Sequence, residues 1–415
     1  MKIFKEILMK KPIFAIVGII FAFPFFIISA ADAVSDEIYN TAEVYGTAPI
    51  VVLADAETDD SEVAVLKFPG NLNFLKLRHN NVDATLYGVV DFGYRWAGRS
   101  LQGEKSRWGL DSGIQNGSRI GLQGGVDAGR IRVEFLAEMG LGYDTEHFNA
   151  WNRQSYLSLI GDLGTFSFGR QGSALYQYSW DFDPFGDMFD SRMGTTYLME
   201  ARMDNLFLYK TPKWGPLSIL AGFSHNIRGD EKVGNRDDIM AAIVAPRLDF
   251  DRLSIALNLQ WLIYQNDQIP AMDGETVFSA DLMASYDFSW FKLMGSVGMR
   301  NASLFDFSAA AGLPTANGLP GDTFQWLIGA EIPVFCEKGT IILSYINRST
   351  KVWGTGDHAR VSQFGAAYLH HLCRNVDLYL SYCYIHNNDV ACQALSSDFL
   401  HGYQTVACFG AMLKF

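Results

Sequence analysis

Charged residues in this chain recur at alternate positions of apolar runs. Arg130, Arg132, Glu134 and Glu138 alternate with Ile131, Val133, Phe135, Ala137 and Met139. Further upstream, Tyr87, Val89, Asp91, Gly93 and Arg95 share one parity, against Leu86, Gly88, Val90, Phe92, Tyr94 and Trp96 on the other. Fixed charges in rows can build an electric field along a surface. Groupings suited to catalysis do not emerge. The eight histidines are scattered, with His147, His225, His358, His386 and His401 in or near loops, His370-His371 beside a turn and His79 ahead of the periodic region. No Ser, His and acid recur on one face. The Gly-rich stretch Gly121 to Gly129 falls in a strand and turn, with no following helix to cradle phosphate. No spacing resembles a zinc site, and neither a metal nor a cofactor is expected. The chemistry these residues suit is electrostatic, not enzymatic.

Side chains on a strand alternate between two faces. From Thr85 onward, alternating runs of about ten residues, as expected of membrane strands, are separated by two kinds of connection. Seven short ones centre on Asp127–Gly129, Gly161–Gly164, Trp214–Pro216, Asp249–Asp251, Asp287–Ser289, Glu337–Gly339 and Arg374-Asn375. Eight long ones run Ala97–Gly117, Gly140–Trp151, Gln171–Asp204, His225–Asp238, Gln265–Glu275, Asn301–Gly321, Ser349–His358 and Asn387–Leu400. Short and long alternate, which requires sixteen strands with both ends of the region on the short-turn side. The expected fold is therefore all-β, a transmembrane antiparallel barrel of sixteen strands. A Lys or Arg facing lipid at the midplane costs about 2–4 kcal/mol, so the charged parity faces the lumen. A barrel of this size is too wide for wall side chains to fill and leaves an aqueous channel.

The N-terminus reads as an export signal. Lys2, Lys5, Lys10 and Lys11 precede an apolar stretch from Ile13 to Ile28, and Ala31-Asp32-Ala33 fits a small-residue cleavage site. Removing residues 1–33 takes four Lys with Glu6 and Asp32, moving the net charge from −12 to −14. Such acidity argues against nucleic acid as a partner. Residues 34–83 form an extension, acidic early (Asp55, Glu57, Asp59, Asp60, Glu62) and more apolar later, and 84–415 form the barrel. The five cysteines are an odd set, so at least one stays unpaired within a monomer. Cys383, near a strand end, and Cys392, in the loop after it, form a possible disulfide; Cys408, on the lumenal parity of the next strand, is a rival partner. Cys336 and Cys373 sit at turns about two strand spacings apart, roughly 10 Å, too far for a bridge without movement.

Several segments resemble the general trimeric porins of Gram-negative outer membranes, especially the betaproteobacterial type. They are Leu86-Tyr87-Gly88-Val89-Val90-Asp91, Ser118 to Gly124 (SRIGLQG), Phe148 to Gln154 (FNAWNRQ), Gly161 to Thr165 (GDLGT), Gly169-Arg170-Gln171 and Arg202-Met203-Asp204-Asn205. The alternating last strand, ending on Leu413 and Phe415, matches too; in such barrels it is what the assembly machinery reads. The resemblance implies an outer-membrane homotrimer of multi-pass barrels in contact with lipid, each passing ions and small hydrophilic solutes by passive diffusion. It also implies that the third long loop folds into the lumen and sets acidic groups against a basic wall. That loop is the longest of the eight and carries Asp181, Asp183, Asp187 and Asp190. By position, the wall bases are Arg119, Arg132, Arg153 and Lys210, with Asp91, Glu134 and Glu138 adding lumenal negative charge. Lys210 shares its phase with Leu206 and Leu208, which leaves its side open, and Arg170 shares parity with Phe166 and Phe168, which suggests the outer face or a subunit contact. Against this leading expectation stand a substrate-specific channel, a non-channel barrel acting as an enzyme or adhesin, and a soluble exported sandwich.

Overall fold

The structure, a computed structural model, describes residues 75–415 apart from 101–104, 143, 145–148, 230–237, 266–273, 305–319, 336–337, 354–355 and 389–401. The export segment, most of the acidic extension and Cys392 lie outside the described residues. The strands are β1 (Leu75–His79), β2 (Val82–Ser100), β3 (Lys105–Ser112), β4 (Arg119–Ala128), β5 (Ile131–Gly142), β6 (Asn149–Gly161) and β7 (Gly164–Gly172). Two helices follow, α1 (Ala174–Phe182) and α2 (Met193–Thr196). Then come β8 (Arg202–Lys210), β9 (Leu217–Ser224), β10 (Asp238–Asp249), β11 (Leu253–Gln265), β12 (Thr276–Asp287), β13 (Lys292–Leu304), β14 (Pro320–Val334), β15 (Gly339–Val352), β16 (His358–Cys373), β17 (Val376–Asn387) and β18 (Gly402–Lys414).

From β4 to β18, each strand pairs antiparallel with the next, and β18 closes the sheet on β2. The 18 strands make sixteen staves. Strands β3 and β4 form one stave, since β2 pairs with β3 along its upper half and with β4 along its lower half. Strand β1 pairs with the foot of β2, in line with the end of β18. Closure leaves no sheet edge along these staves, which a lipid environment demands. The barrel wall thus begins at Leu75, inside the segment read from sequence as an extension, because the Asn80-Asn81 turn folds β1 back onto β2.

Each of the seven expected short turns falls between consecutive strands, and the strands flanking the expected long connections end at the opposite end of the barrel. The first long loop is an exception in extent. Its expected span, Ala97–Gly117, is mostly strand, since β2 runs to Ser100 and β3 resumes at Lys105. The stave breaks instead at Gly113–Ser118, where the buried Asp91 carboxylate accepts the N–H groups of Gln115 at 2.5 Å and Asn116 at 3.0 Å.

Parity holds through the wall. Leu378, Leu380 and Tyr382 on β17 are exposed outward, whereas Asp377, Tyr379 and Cys383 are buried inward. The Phe415 ring covers Gly88, and their backbones exchange hydrogen bonds of 2.8 and 3.0 Å.

The third loop, between β7 and β8, folds into the barrel. Helix α1 starts at Ser173, whose hydroxyl accepts the Tyr176 N–H at 3.1 Å, and stops at Asp183, which precedes Pro184 and is forced extended. Leu175, Tyr178 and Phe182 lie on one face and are buried against Ile243, Ala256 and Met283 of the inner wall. Further along, Phe185 and Phe189 pack on Val361, Tyr379 and Ile385. The loop thus fills part of the lumen, and the wall residues Gln325 and Gln363, which bond it, are fully buried. The spaces beside the loop are bounded on the wall side largely by residues of β4 to β7.

Candidate functional site

The loop and the wall meet at one cluster of charge. On the wall, Glu138 of β5 is bracketed by Arg119 of β4 at 3.1 Å and Arg153 of β6 at 2.7 Å, and accepts the Tyr87 hydroxyl at 3.0 Å. On the loop, Asp187 lies 3.7 Å from Arg153, 3.7 Å from Arg202 and 3.2 Å from Arg192. Tyr176 ties the two sides, donating to Asp187 at 2.7 Å and accepting from Arg202 at 2.7 Å, with that guanidinium 4.8 Å above its ring. Burial alone would raise the Asp187 carboxyl, but Arg192, the Tyr176 hydroxyl, Arg202 and Arg153 outweigh it and hold it below the usual aspartate range. Above the cluster, toward the long loops, lies a chamber of about 530 Å³ bounded by Asp144, Trp151 and Arg192. Below it the space shrinks to about 40 Å³ among Arg119, Glu138, Tyr176 and Trp180. Arg153, Tyr176 and Arg202 line both.

Of the bases expected on the wall, Arg119 and Arg153 are in this cluster. Arg132 is not. It sits one residue into β5, at the short-turn end, held by Asp83 at 2.7 Å, Asp127 at 3.1 Å and Glu134 at 2.6 Å, so Glu134 is spent there as well. Lys210 ends β8 at the same end of the barrel as Asp249 and is likewise remote. The reason is common to both: parity tells which face a side chain takes, not its height. Arg170 pairs with Asp204.

Of the four loop acids, only Asp187 belongs to the cluster. Asp181 pairs with Arg247 of β10. Asp183 is buried and accepts the N–H groups of Phe185 and Met193 at 3.1 and 2.5 Å; burial pushes its carboxyl up to about 8 against those bonds. Asp190 pairs with Arg95 at 3.0 Å. Asp91 faces inward but is consumed by the stave break and by the Tyr379 hydroxyl at 2.8 Å. Cys383 is a free, buried thiol 3.6 Å from the Asp190 carbonyl, and it points into the barrel; its expected partner, Cys392, lies outside the described residues. The rival partner, Cys408, is also free and buried.

Sequence reasoning missed Arg192, Arg202 and Tyr176. Arg202 opens the strand after the long loop, at the level where that loop must leave the wall, and that position was the available signal.

A closed sixteen-stave barrel, an infolded third loop and charges of both signs facing across the remaining gap define a channel of the bacterial outer membrane. The family model described as Gram-negative porin matches residues 54–390, and the chain belongs to that family. An outer membrane porin protein of Bordetella pertussis is 28% identical over 348 residues, covering 73% of this chain and 89% of the relative. Outer membrane porin protein 32 of Delftia acidovorans is 25% identical over 334 residues, covering 75% of this chain and 86% of its own. Among solved structures, the anion-selective porin from Comamonas acidovorans aligns over 80% of this chain and all of its own, with a TM-score of 0.64 and 22% identity. The protein is an outer-membrane porin through which solutes pass by passive diffusion; family and fold point to a channel and not to an enzyme.

Proposed function

We propose that the gap between Asp187 and the Arg119–Arg153 wall is the constriction of the pore, and that it favours small anions. The observation that carries this is the charge balance where the loop meets the wall: four guanidiniums, of Arg119, Arg153, Arg192 and Arg202, face two carboxylates, of Glu138 and Asp187. Their opposed rows orient water across the gap, so small hydrophilic solutes pass and apolar ones, which must displace that water, are held back. The surplus of positive charge biases the ion population. That a channel of the same fold is called anion-selective is consistent with this reading. The protein works as a homotrimer, as the resemblance implies, with its outward apolar band against lipid and neighbouring subunits, and Leu413 and Phe415 act as the signal for the barrel-assembly machinery.

A second reading, a channel specific for organic anions, is favoured by Tyr176, Trp151 and Trp180 beside the arginines. Planar-bilayer recording of the detergent-purified trimer under a salt gradient tests the first reading. A reversal potential on the anion side is expected, and a cation-side value would refute it. Block by an aromatic carboxylate at concentrations that leave chloride current unaffected would favour the second.

A further inference from the structure

The third loop rests on three wall glycines: Gly329 of β14, where a Cβ would stand 2.5 Å from Pro184 Cγ, and two that face the segment after the loop tip. Gly298 of β13 lies under Tyr197: a Cβ there would overlap both the Tyr197 hydroxyl and Asp281 Oδ1. Gly365 of β16 lies under the loop after its tip: a Cβ there would stand 2.5 Å from Ser191 Cβ, 2.7 Å from Ser191 Oγ and 2.9 Å from Phe185 Cε2. Neither glycine has positive φ, so the backbone does not require glycine at either place. Glycine weakens a strand interior and is expected where another backbone approaches closely. Here the approaching element is the loop.

The contacts at these positions cannot be relieved by rotating a side chain. Ser191 Cβ is fixed to the loop backbone, and Tyr197 is buried and held by Asp281 at 2.9 Å. The loop is fastened around both sockets. Gln363 donates to the Ser191 carbonyl at 2.8 Å and accepts from Thr196 at 2.7 Å, and Gln325 accepts the Leu198 N–H at 2.8 Å. On its other side the same loop presents Asp187, 3.7 Å from Arg153, and Arg192 joins the residue in the Gly365 socket directly to Asp187. The loop is a wedge between two walls, and close-packed matter transmits added volume instead of absorbing it.

We infer that Gly298 and Gly365 are aperture-setting residues: the depth to which they let the third loop seat fixes the cross-section of the conducting gap on its far side. This rests on the reading of that gap as the constriction. A methyl group at position 365 moves Ser191, and with it Arg192 and Asp187, toward Arg153, which Asp187 already meets at 3.7 Å and with which both line the chamber of about 530 Å³.

The test is unitary conductance in planar bilayers of Gly365→Ala, of Gly365→Ala combined with Ser191→Gly, and of Arg192→Ala, with the folded trimer fraction read by heat-modifiable migration. Gly365→Ala should lower conductance by roughly twofold or more, because packed elements shift as units, and the double variant, which removes the Ser191 side chain that the new methyl would meet, should restore it. Unchanged conductance in folded Gly365→Ala overturns the inference. If Gly365→Ala does not fold, the double variant decides: parental conductance supports the socket, whereas failure to fold or reduced conductance places the clash in the wall and overturns it. Arg192→Ala separates this from the reading beneath it. A shifted reversal potential there, with conductance insensitive to position 365, rejects the socket alone; no response to either rejects the constriction as well.

Discussion

Asp187 of the third loop and Arg153 of the wall face each other at 3.7 Å across the lumen, and they do so because loop and wall are each locked from behind. Arg153 is held at 2.7 Å by Glu138, which also takes Arg119. Asp187 is held by the Tyr176 hydroxyl at 2.7 Å. The field across the gap is thus preorganised, and each member can be removed separately.

Arg192 is the member to remove first. Its side chain is 46% exposed, so Arg192→Ala leaves no buried carboxylate stranded, because Asp187 keeps Arg153 and Arg202. The reversal potential should move toward cations at a modest stability cost, because Arg192 is the largest of the charges that oppose the burial of Asp187 but two others remain. Arg119→Ala should move it the same way at a greater stability cost, since Arg119 and Glu138 are both buried. Bilayer recording with parallel melting of the detergent-solubilised protein checks both.

Acid should change selectivity late. The Asp187 carboxyl, though buried, is held low by Arg192, Tyr176, Arg202 and Arg153. A depressed folded-state value means its contribution to stability is complete above the unfolded value, about 3.9, and is lost as pH falls through the lower folded value. Between neutrality and about pH 4 this group predicts flat ion preference; below that, its protonation should raise anion preference and loosen the loop. A titration of reversal potential against pH decides, and an Asp187-dependent change near pH 6, absent in Asp187→Asn, would contradict it.

The barrel was legible in the sequence because its signal is local: alternation and turn residues state where strands lie and which face is wet. Parity put Arg119 and Glu138 on the inner face, whereas Arg153 and the four loop aspartates, Asp187 among them, were expected from the family resemblance. What could not be read was height and long-range contact. Arg132 carries the right parity close to a turn and bonds there. Helix α1 was not visible, because its apolar face, Leu175, Tyr178 and Phe182, finds its partners on strands far along the chain. The four loop aspartates look equivalent in sequence, yet one is a buried cap, two pair with different walls and one faces the gap.

Asp183 shapes the loop tip and should tolerate change poorly. It gathers the Phe185 and Met193 N–H groups, and its removal in Asp183→Ala orphans both, at about 1–3 kcal/mol each. Because burial pushes its carboxyl to about 8, its stabilising contribution is fully present below the unfolded value and lost as pH rises through about 8. Noisier single-channel traces and faster proteolysis within the loop are expected for the variant at pH 7, and quiet, protease-resistant channels would count against this role.

The C-terminal stem of the loop hangs on a buried ion pair, Glu200 with Arg300 at 3.1 Å, reinforced by Gln260 donating to Glu200 at 2.5 Å. Despite full burial, Arg300 and Gln260 keep the Glu200 carboxyl below its usual range. Breaking one side of such a pair costs about 3–5 kcal/mol, because the remaining charge is left buried. Glu200→Gln should therefore destabilise the protein more than Arg192→Ala does, although Glu200 bears no contact with Asp187. Replacing all three buried charges, Glu200→Gln and Asp281→Asn with Arg300→Met, removes the stranded charge that Arg300→Met alone would leave on Asp281 and should recover much of the loss, in the direction expected when buried ionic groups are exchanged for neutral ones. Melting temperatures of the three variants against the parent settle it: a triple variant no more stable than Glu200→Gln would mean that the stem is held by packing of Tyr197 and Met203 and not by charge.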